Sequence, residues 1–599
     1  MPTIVVLKRD FEELLGAPCA LAALERELEL AKGELKGYDP VSDEIKVELN
    51  DTNRPDLWSP EGLARQLRAA RGGAARDYGF TRPGASATGT VPATIPEIHV
   101  DPALEDIRPF VAGFLASGAP LSDAGLRNLI QSQEKLAENF GQRRRAVAIG
   151  VYRAARIRFP IHYRAADPAT TRYTPLGFAE PLALAAILDT HPKGQEYGHL
   201  LRGKARFPLL ADDAGEVLSM PPIVNSQTLG TVEVGDANLF VEVTGHDLRA
   251  LLLALNIAAC DLADRGATIR PVAVIYPYST PFGRRVVTPA DFVEPVQLEL
   301  AHLAQLLGES IPGPEVIAHL TRIGHRDVRA IAAGNAASDA ASKAASDAGG
   351  DKPAITATPP PYRDDILHPV DLIEDVAIAR GYDSFEPVLP EEFTVGRLST
   401  AETLARRVTD LLVGAGYQQV ISNILTAREV LVERMHRDDN GANLVAIENV
   451  MSANYAVLRD AVLPSLLQVE ATSSKALYPH RMFEIGECAT IDPAAILGTR
   501  TRLLAGALLA HPTATFSELH STLDAVLFYL GHEAELSPTD HPSCLPGRAG
   551  RVVIAGRDAG WIGELAPACL ERWGIAVPSS AFEVDLGTLL ALAPGRQSG

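Results

Sequence analysis

The chain has 599 residues, 46% of them apolar, and a formal net charge of −20. That length calls for several domains with packed cores, and the acidic balance excludes nucleic-acid binding by bulk electrostatics while leaving local basic patches free to meet phosphates. Five scattered cysteines (Cys19, Cys260, Cys488, Cys544, Cys569) exclude a disulfide framework or zinc spacing, and the longest apolar run, Ala250 to Cys260, is broken by Asn256 and falls short of the roughly 20 residues a membrane helix needs.

The first residues, Met-Pro-Thr-Ile-Val-Val-Leu, read as a strand and lack the order of a signal peptide, so a cytoplasmic chain without a membrane partner is expected. Strand and helix signals alternate to about residue 80, where Ser59 as N-cap, Pro60 in the first turn and Gly72 at the end predict a helix. The Gly/Pro/Thr-rich run from Arg82 to Pro96 reads as a linker, closing a first domain over 1–98. A second domain is expected over 99–287 and a third over 288–390. Within the third, Ala332 to Thr358 is poor in bulky apolar residues and is expected to be a disordered hairpin extension. The last domain, 391–599, opens with an amphipathic helix around Leu404 to Leu412. The fold class is α+β and multidomain. Basic runs at Arg143-Arg144-Arg145 and Arg202 to Arg206 read as solvated surface or phosphate contacts. Gly198 to Ala205 imitates a phosphate-binding loop but ends in alanine where Ser or Thr is needed, and Pro208 breaks the helix that must follow.

Two clusters carry chemistry. Around Pro361 to Pro390, Asp371 is placed as an N-cap, Glu374 completes a capping box and Gly381 ends a helix of about ten residues. Asp371, Glu374 and Asp375 then share a face that Asp365 can reach. Capping and the helix dipole account for these acids without any ligand; a hard cation such as magnesium accounts for them equally. In the second cluster, alternation from Leu239 puts Phe240, Glu242, Thr244 and His246 on one side of a strand that follows the run Leu218 to Ser226. That side forms either a small polar pocket or a turn capping the helix from Leu248.

The run Pro361 to Tyr382 resembles the beta subunit of phenylalanyl-tRNA synthetase, of the short archaeal and eukaryotic type. Asn53 to Ser59, Gln133 to Leu136, Arg143 to Tyr152, His191 to Tyr197 and His480 to Glu487 resemble the same family in the same order. The resemblance implies an N-terminal mixed domain, an editing domain, a small magnesium-binding domain, and a class II synthetase-like antiparallel-sheet domain without catalytic motifs. It implies magnesium on Asp365, Asp371, Glu374 and Asp375, held jointly with an alpha subunit. Leu210, Ser219, Glu242 and Thr244 match the family's editing residues, while His246 departs from its usual Thr.

A phenylalanine pocket excludes tyrosine by only about a hundredfold, so a second, hydrolytic site is needed, with Glu242 as acceptor for the phenol hydroxyl. Thr244 and Ser219 are expected to orient water and the terminal ribose. The implied reaction is ATP-dependent attachment of phenylalanine to tRNA(Phe), with ATP and phenylalanine bound on the alpha subunit of an assembly of two alpha and two beta chains. Glu571-Arg572 follows Ala-Cys-Leu rather than a glycine run, so no ATP clamp is expected in this chain. The competing readings are a structural subunit with a decayed editing site and an unrelated metal-dependent hydrolase built on Asp365 to Asp375.

Overall fold

The computed structural model of the chain describes residues 2–51, 53–73, 76–82, 95–331, 353–438, 443–473 and 475–592. It divides into two compact units, Met1–Val388 and Leu389–Gly599. The first unit begins with β1 (Thr3–Leu7), α1 (Lys8–Leu15), α2 (Leu21–Leu28), β2 (Gly33–Asp39), β3 (Glu44–Leu49) and α3 (Pro60–Ala70), with strand order β1-β3-β2. The start of α3 is set locally: Ser59 Oγ accepts the Gly62 N–H at 2.9 Å and Pro60 occupies the first turn. Most of the predicted linker, residues 83–94, lies outside the described residues.

Next come β4 (Glu97–Val100), β5 (Phe110–Ser117), α4 (Asp123–Lys135), β6 (Val147–Arg153), β7 (Ile161–Ala166), the short pair β8 (Arg172–Tyr173) and β9 (Leu182–Ala183), α5 (Leu184–Thr190), α6 (Pro192–Tyr197), β10 (Phe207–Ala211), β11 (Val217–Met220), β12 (Val224–Asn225), β13 (Asn238–Gly245), α7 (Leu248–Asp264), β14 (Thr268–Ile275) and β15 (Arg285–Thr288). They build a ten-stranded sheet of order β12-β11-β10-β7-β4-β14-β5-β13-β6, with β15 added to β14. α7 is apolar almost all round and correspondingly buried, as a helix inside a large core must be. Among the described residues no helix is long and apolar enough to cross a membrane. The N-terminal segment shares its core with this sheet: Ile4, Phe11, Trp58 and Leu67 belong to one apolar cluster with Phe114, Val241, Leu252 and Ile257.

Buried charge locks that shared core. Arg265 donates to Asp10 Oδ2 at 2.8 Å and to Glu61, while Arg65 donates to Asp261 at 2.7 Å and Asp264 at 2.9 Å. The same Arg65 guanidinium lies 4.4 Å from the Tyr362 ring centre.

The unit closes with β16 (Val296–Glu299), α8 (Leu300–Leu307), α9 (Gly313–Arg322), β17 (Arg326–Ile331), β18 (Ala354–Thr358) and α10 (Pro369–Arg380), with strand order β16-β18-β17. The extension expected over 332–358 therefore ends sooner. Ala354–Thr358 is the central strand of this sheet, and Ile355 and Ala357 are buried in its core, because three β-branched residues in five suffice for a strand covered by helices. Residues 332–352 lie outside the described residues.

The second unit contains α11 (Thr400–Gly414), β19 (Gln418–Gln419), β20 (Leu425–Thr426), α12 (Arg428–Leu431), β21 (Val457–Leu458), α13 (Leu463–Thr472), β22 (His480–Ile491), β23 (Thr499–Ala510), α14 (Phe516–Leu530), β24 (Ala534–Pro538), β25 (Cys544–Ile554), β26 (Arg557–Leu565), α15 (Pro567–Trp573), β27 (Ser579–Asp585) and α16 (Leu586–Leu592). Its seven-stranded sheet, β19-β22-β23-β27-β26-β25-β24, is antiparallel except for the β19–β22 pair. Strand alternation splits the core in two. Phe483, Leu509 and Phe582 pack with α11, α14 and α16 on one face, and Met482, Leu508 and Ala581 pack with α13 and α15 on the other.

Replacing Arg65 with Met would leave Asp261 and Asp264 short of a buried partner. Loss of about 3 to 5 kcal/mol of stability is expected in urea unfolding; a change below about 1 kcal/mol would show that water reaches these carboxylates.

Candidate active site

β13 is paired on both sides, with Glu242 opposite Gly113 on β5 and opposite Gly150 on β6. Alternation turns Phe240, Glu242 and Thr244 to one face. Glu242 and Thr244 open into a cavity of about 350 Å³ whose lining also includes Ser219, Met220, Asn225 and Arg144. The strand ends at Gly245, so His246 leaves the alternation: its side chain is exposed and is not in the cavity lining, and its N–H donates to the Ala146 carbonyl at 3.3 Å. The expected four-residue face is thus a three-residue one.

Glu242 is 3% exposed. The Tyr152 hydroxyl donates to its Oε1 at 2.9 Å, and its Oε2 has no hydrogen-bond partner. Burial pushes the carboxyl up to about 7, against the opposing influence of the Tyr152 hydrogen bond and the Arg108 charge. Gly150 makes this pair possible, since a Cβ there would lie 2.3 Å from the Tyr152 hydroxyl and 2.5 Å from Glu242 Oε1. Ser219 Oγ is also buried and unpartnered. Leu210 stands directly opposite Ser219 in the β10–β11 ladder, but its side chain packs in the apolar cluster with Phe240 and Tyr163 and does not line the cavity. Three of the four expected pocket residues therefore converge, and the fourth backs them.

The basic run divides. Arg143 and Arg145 are exposed, whereas Arg144 lines the cavity, donates to the carbonyls of Pro222 at 3.2 Å and Ile223 at 3.0 Å, and lies 4.2 Å from the Tyr197 ring centre. Gln142, Arg143 and Arg144 all have left-handed backbone (φ 52°, 53° and 63°), a costly arrangement for residues with a Cβ that aims Arg144 inward. The sequence places Arg144, Gly150 and Tyr152 in one family-like run without giving any of them a pocket role, and it does not single out Arg108. The one readable signal was a glycine inside a strand pattern two residues before a tyrosine.

The acidic quartet does not form one cage. His368, not Asp371, caps α10, which runs twelve residues. Asp371 is the third helical residue, and its Oδ2 accepts the N–H groups of His368 at 2.7 Å and Leu367 at 2.8 Å. Glu374 is exposed and meets Lys32 at 2.6 Å. Asp365 and Asp375 are drawn inward by Arg363, which reaches Asp365 at 2.6 Å and Asp375 at 2.7 Å; His325 adds a 2.6 Å contact to Asp375. Burial alone would raise the Asp375 carboxyl, but Arg363 and His325 more than offset it and hold it below the usual range. A guanidinium supplies the charge compensation expected of the metal. Among the described residues, no three His, Cys, Asp or Glu side chains are placed to hold one metal ion. Asp371 and Glu374 lie one helical turn apart on α10, the first engaged by backbone N–H groups and the second by the Lys32 ammonium.

Residues 386–586 match the phenylalanyl tRNA synthetase beta chain CLM domain family, and residues 296–382 match the tRNA synthetase B5 domain family. The phenylalanine–tRNA ligase beta subunit of Borreliella burgdorferi is 38% identical over 593 residues, covering 99% of this chain and 100% of that protein. That of Treponema pallidum is 39% identical over 629 residues, covering 98% and 100%. This chain belongs to the phenylalanine–tRNA ligase beta-subunit family. An N-terminal fragment of the phenylalanyl-tRNA synthetase beta subunit from Pyrococcus horikoshii is similar in structure, with a TM-score of 0.54 and 35% identity over 64% of this chain and 100% of the fragment.

As a beta subunit, the chain is a component of a class II aminoacyl-tRNA synthetase. Its second unit pairs charge internally on the sheet: Arg459 donates to Glu484 at 2.8 Å, and Glu583 accepts the Leu463 N–H at 2.8 Å and the Trp561 indole N–H at 3.1 Å. Glu571 and Arg572 lie on α15, where Arg572 donates to the Glu433 carbonyl.

The Glu242 carboxyl gives the beta subunit a pH signature. Raised from 4.5 to about 7, it keeps its proton in the folded state where the unfolded chain has lost it. Its favourable contribution is complete below the unfolded value and is lost as pH rises through the folded one. Glu242→Gln is therefore expected to gain on the native chain as pH rises from 4.5 to 7, by up to about 3 kcal/mol. Unfolding midpoints taken across that range check this, and a pH-independent difference would refute it.

Proposed function

We propose that this chain is the proofreading and scaffolding subunit of a phenylalanine–tRNA ligase of the short type, in an assembly of two alpha and two beta chains, acting in the cytoplasm. The alpha subunit binds ATP and phenylalanine and attaches the amino acid to tRNA(Phe); this chain hydrolyses tyrosyl-tRNA(Phe) formed in error. The observation that carries the reading is Glu242 Oε2, a buried carboxylate oxygen with no partner in a cavity of about 350 Å³. A tyrosyl phenol entering the cavity donates to that oxygen. A phenylalanyl ring leaves it unpaired, and an unsatisfied buried acceptor costs about 1 to 3 kcal/mol or more when charged.

Thr244 and Ser219 face the same cavity and orient the ester and the attacking water. Water oxygen adds to the ester carbonyl carbon, the bond to the ribose oxygen breaks, and that oxygen takes up a proton. Free tyrosine and uncharged tRNA result. Magnesium, when bound, supplies charge compensation where alpha and beta meet; Asp371 and Glu374 are the residues of this chain proposed to hold it, with Asp365 and Asp375 supporting the helix through Arg363.

The test is hydrolysis of tyrosyl-tRNA(Phe) against phenylalanyl-tRNA(Phe) by the chain co-purified with its alpha partner. Selectivity is expected in the native complex and should fall about ten- to hundredfold in Glu242→Ala. Absence of hydrolysis in both forms would leave a scaffold whose editing site has decayed. The isolated chain is expected to show no phenylalanine-dependent pyrophosphate exchange; exchange by the pure chain would place adenylate chemistry here.

A further inference from the structure

Arg108 is 2% exposed and is among the largest fully buried side chains in the protein. It lies two residues before β5, and among the described residues no carboxylate lies within ion-pair distance of it. Its donors go to neutral oxygens: Nε to Thr244 Oγ1 at 3.0 Å, Nη2 to the Thr244 carbonyl, and Nη1 to the Arg145 carbonyl at 3.1 Å. Its own carbonyl accepts the Tyr163 hydroxyl at 2.9 Å. A buried guanidinium without a counter-ion is expensive and loses basicity, and burial brings Arg108 down to about 10. The contacts link two cavity walls, the β13 strand at Thr244 and the left-handed turn that delivers Arg144.

The hydrogen-bond direction has a chemical consequence. Nε–H occupies one lone pair of Thr244 Oγ1, and among the described residues that hydroxyl makes no other hydrogen bond. Its proton is therefore left to donate. Glu242, two residues away on the same face and about 7 Å along the strand, offers an acceptor at a separation comparable with a tyrosyl side chain.

We propose that Arg108 is a positioning residue of the editing pocket: it turns the Thr244 hydroxyl into the cavity as a charge-backed donor to the ester carbonyl of the bound aminoacyl-tRNA. The phenol end of the substrate meets an acceptor and the ester end meets a donor. The arrangement rests on the proofreading reading above. The ester carbonyl gains negative charge as water adds, so a donor held in place by a buried cation strengthens as the reaction proceeds. Arg108 touches no reacting atom and acts through Thr244.

The charged or titratable groups around Glu242 are Tyr152 on β6, Tyr163 on β7, Arg108 and, lining the same cavity, Arg144 from the turn before β6, Glu134 on α4 and Lys193 on α6. Burial raises both phenols far above neutrality and raises Glu242 to about 7.

The test compares the native chain, Arg108→Lys, Arg108→Met, Thr244→Val and the Arg108→Lys/Thr244→Val double variant, each co-purified with alpha, in hydrolysis of tyrosyl-tRNA(Phe). Phenylalanine attachment by the same preparations reports folding and assembly. Arg108→Lys keeps the charge but loses the fork, and is expected to lower kcat about ten- to hundredfold with KM changed less than about threefold. In the Thr244→Val background the same change should cost less than about threefold more, because the donor it positions is gone. Arg108→Met should also move the acid limb of the rate profile above its native position near pH 7, a shift Arg108→Lys does not make. Unimpaired hydrolysis in Arg108→Lys, or losses that multiply fully in the double variant, would overturn the role of Arg108 alone. A native complex that assembles and aminoacylates yet hydrolyses nothing would overturn the proofreading reading itself. If Arg108→Met does not assemble, the lysine and double variants decide.

Discussion

A guanidinium removed from water has to find oxygen atoms inside the protein, and in the first unit that requirement settles how distant stretches of chain lie together. Arg265 holds Asp10 and Glu61, Arg65 holds Asp261 and Asp264, and Arg363 holds Asp365 and Asp375. Each of the first two ties the N-terminal segment to α7. Such pairs need add little net stability once formed, yet breaking one strands a charge at several kcal/mol. Their effect is to penalise every arrangement in which the partners are apart. Arg108 is the exception that satisfies itself with carbonyls and one hydroxyl, and it sits where the candidate site is built.

The same physics separates what the sequence made legible from what it did not. The helix from Pro60 and the strand through Glu242 are local, written in caps and in alternation of period two. Glu242 and Thr244 share β13 and Ser219 lies on β11; all three were carried over residue by residue from the family resemblance. Asp365 to Asp375 looked like a ligand set because four acids lie close in sequence, and nothing local shows that Arg363 faces inward between two of them. His246 was miscounted because alternation does not announce where a strand ends. Arg108 and Gly150 depend on pairing between strands far apart in the chain, which no local pattern encodes.

Two patches of buried charge, one on the sheet of each unit, are satisfied to different degrees. In the second, Arg459 and Glu484 answer each other, and Glu583 is filled by backbone and indole N–H groups. These groups are saturated, and a saturated polar network rigidifies a core. Around β13, by contrast, Glu242 and Ser219 each keep an atom with nothing bound to it. An incompletely satisfied network is costly to fold, and its persistence beside a cavity marks the place where the missing partner is expected to be a ligand.

If Glu242 is the discriminator proposed here, a proton held until about pH 7 means that it does not behave the same way in every cell. Charged, Glu242 can only accept, and a tyrosyl hydroxyl is the guest that satisfies it. Protonated, it becomes a neutral carboxylic acid that can donate as well, and the contrast between a ring with a hydroxyl and one without narrows. On the proposed reading, translational accuracy at phenylalanine codons would then follow internal acidity, and a cell under acid stress would make more tyrosine-for-phenylalanine errors with no change in its genes or its tRNA.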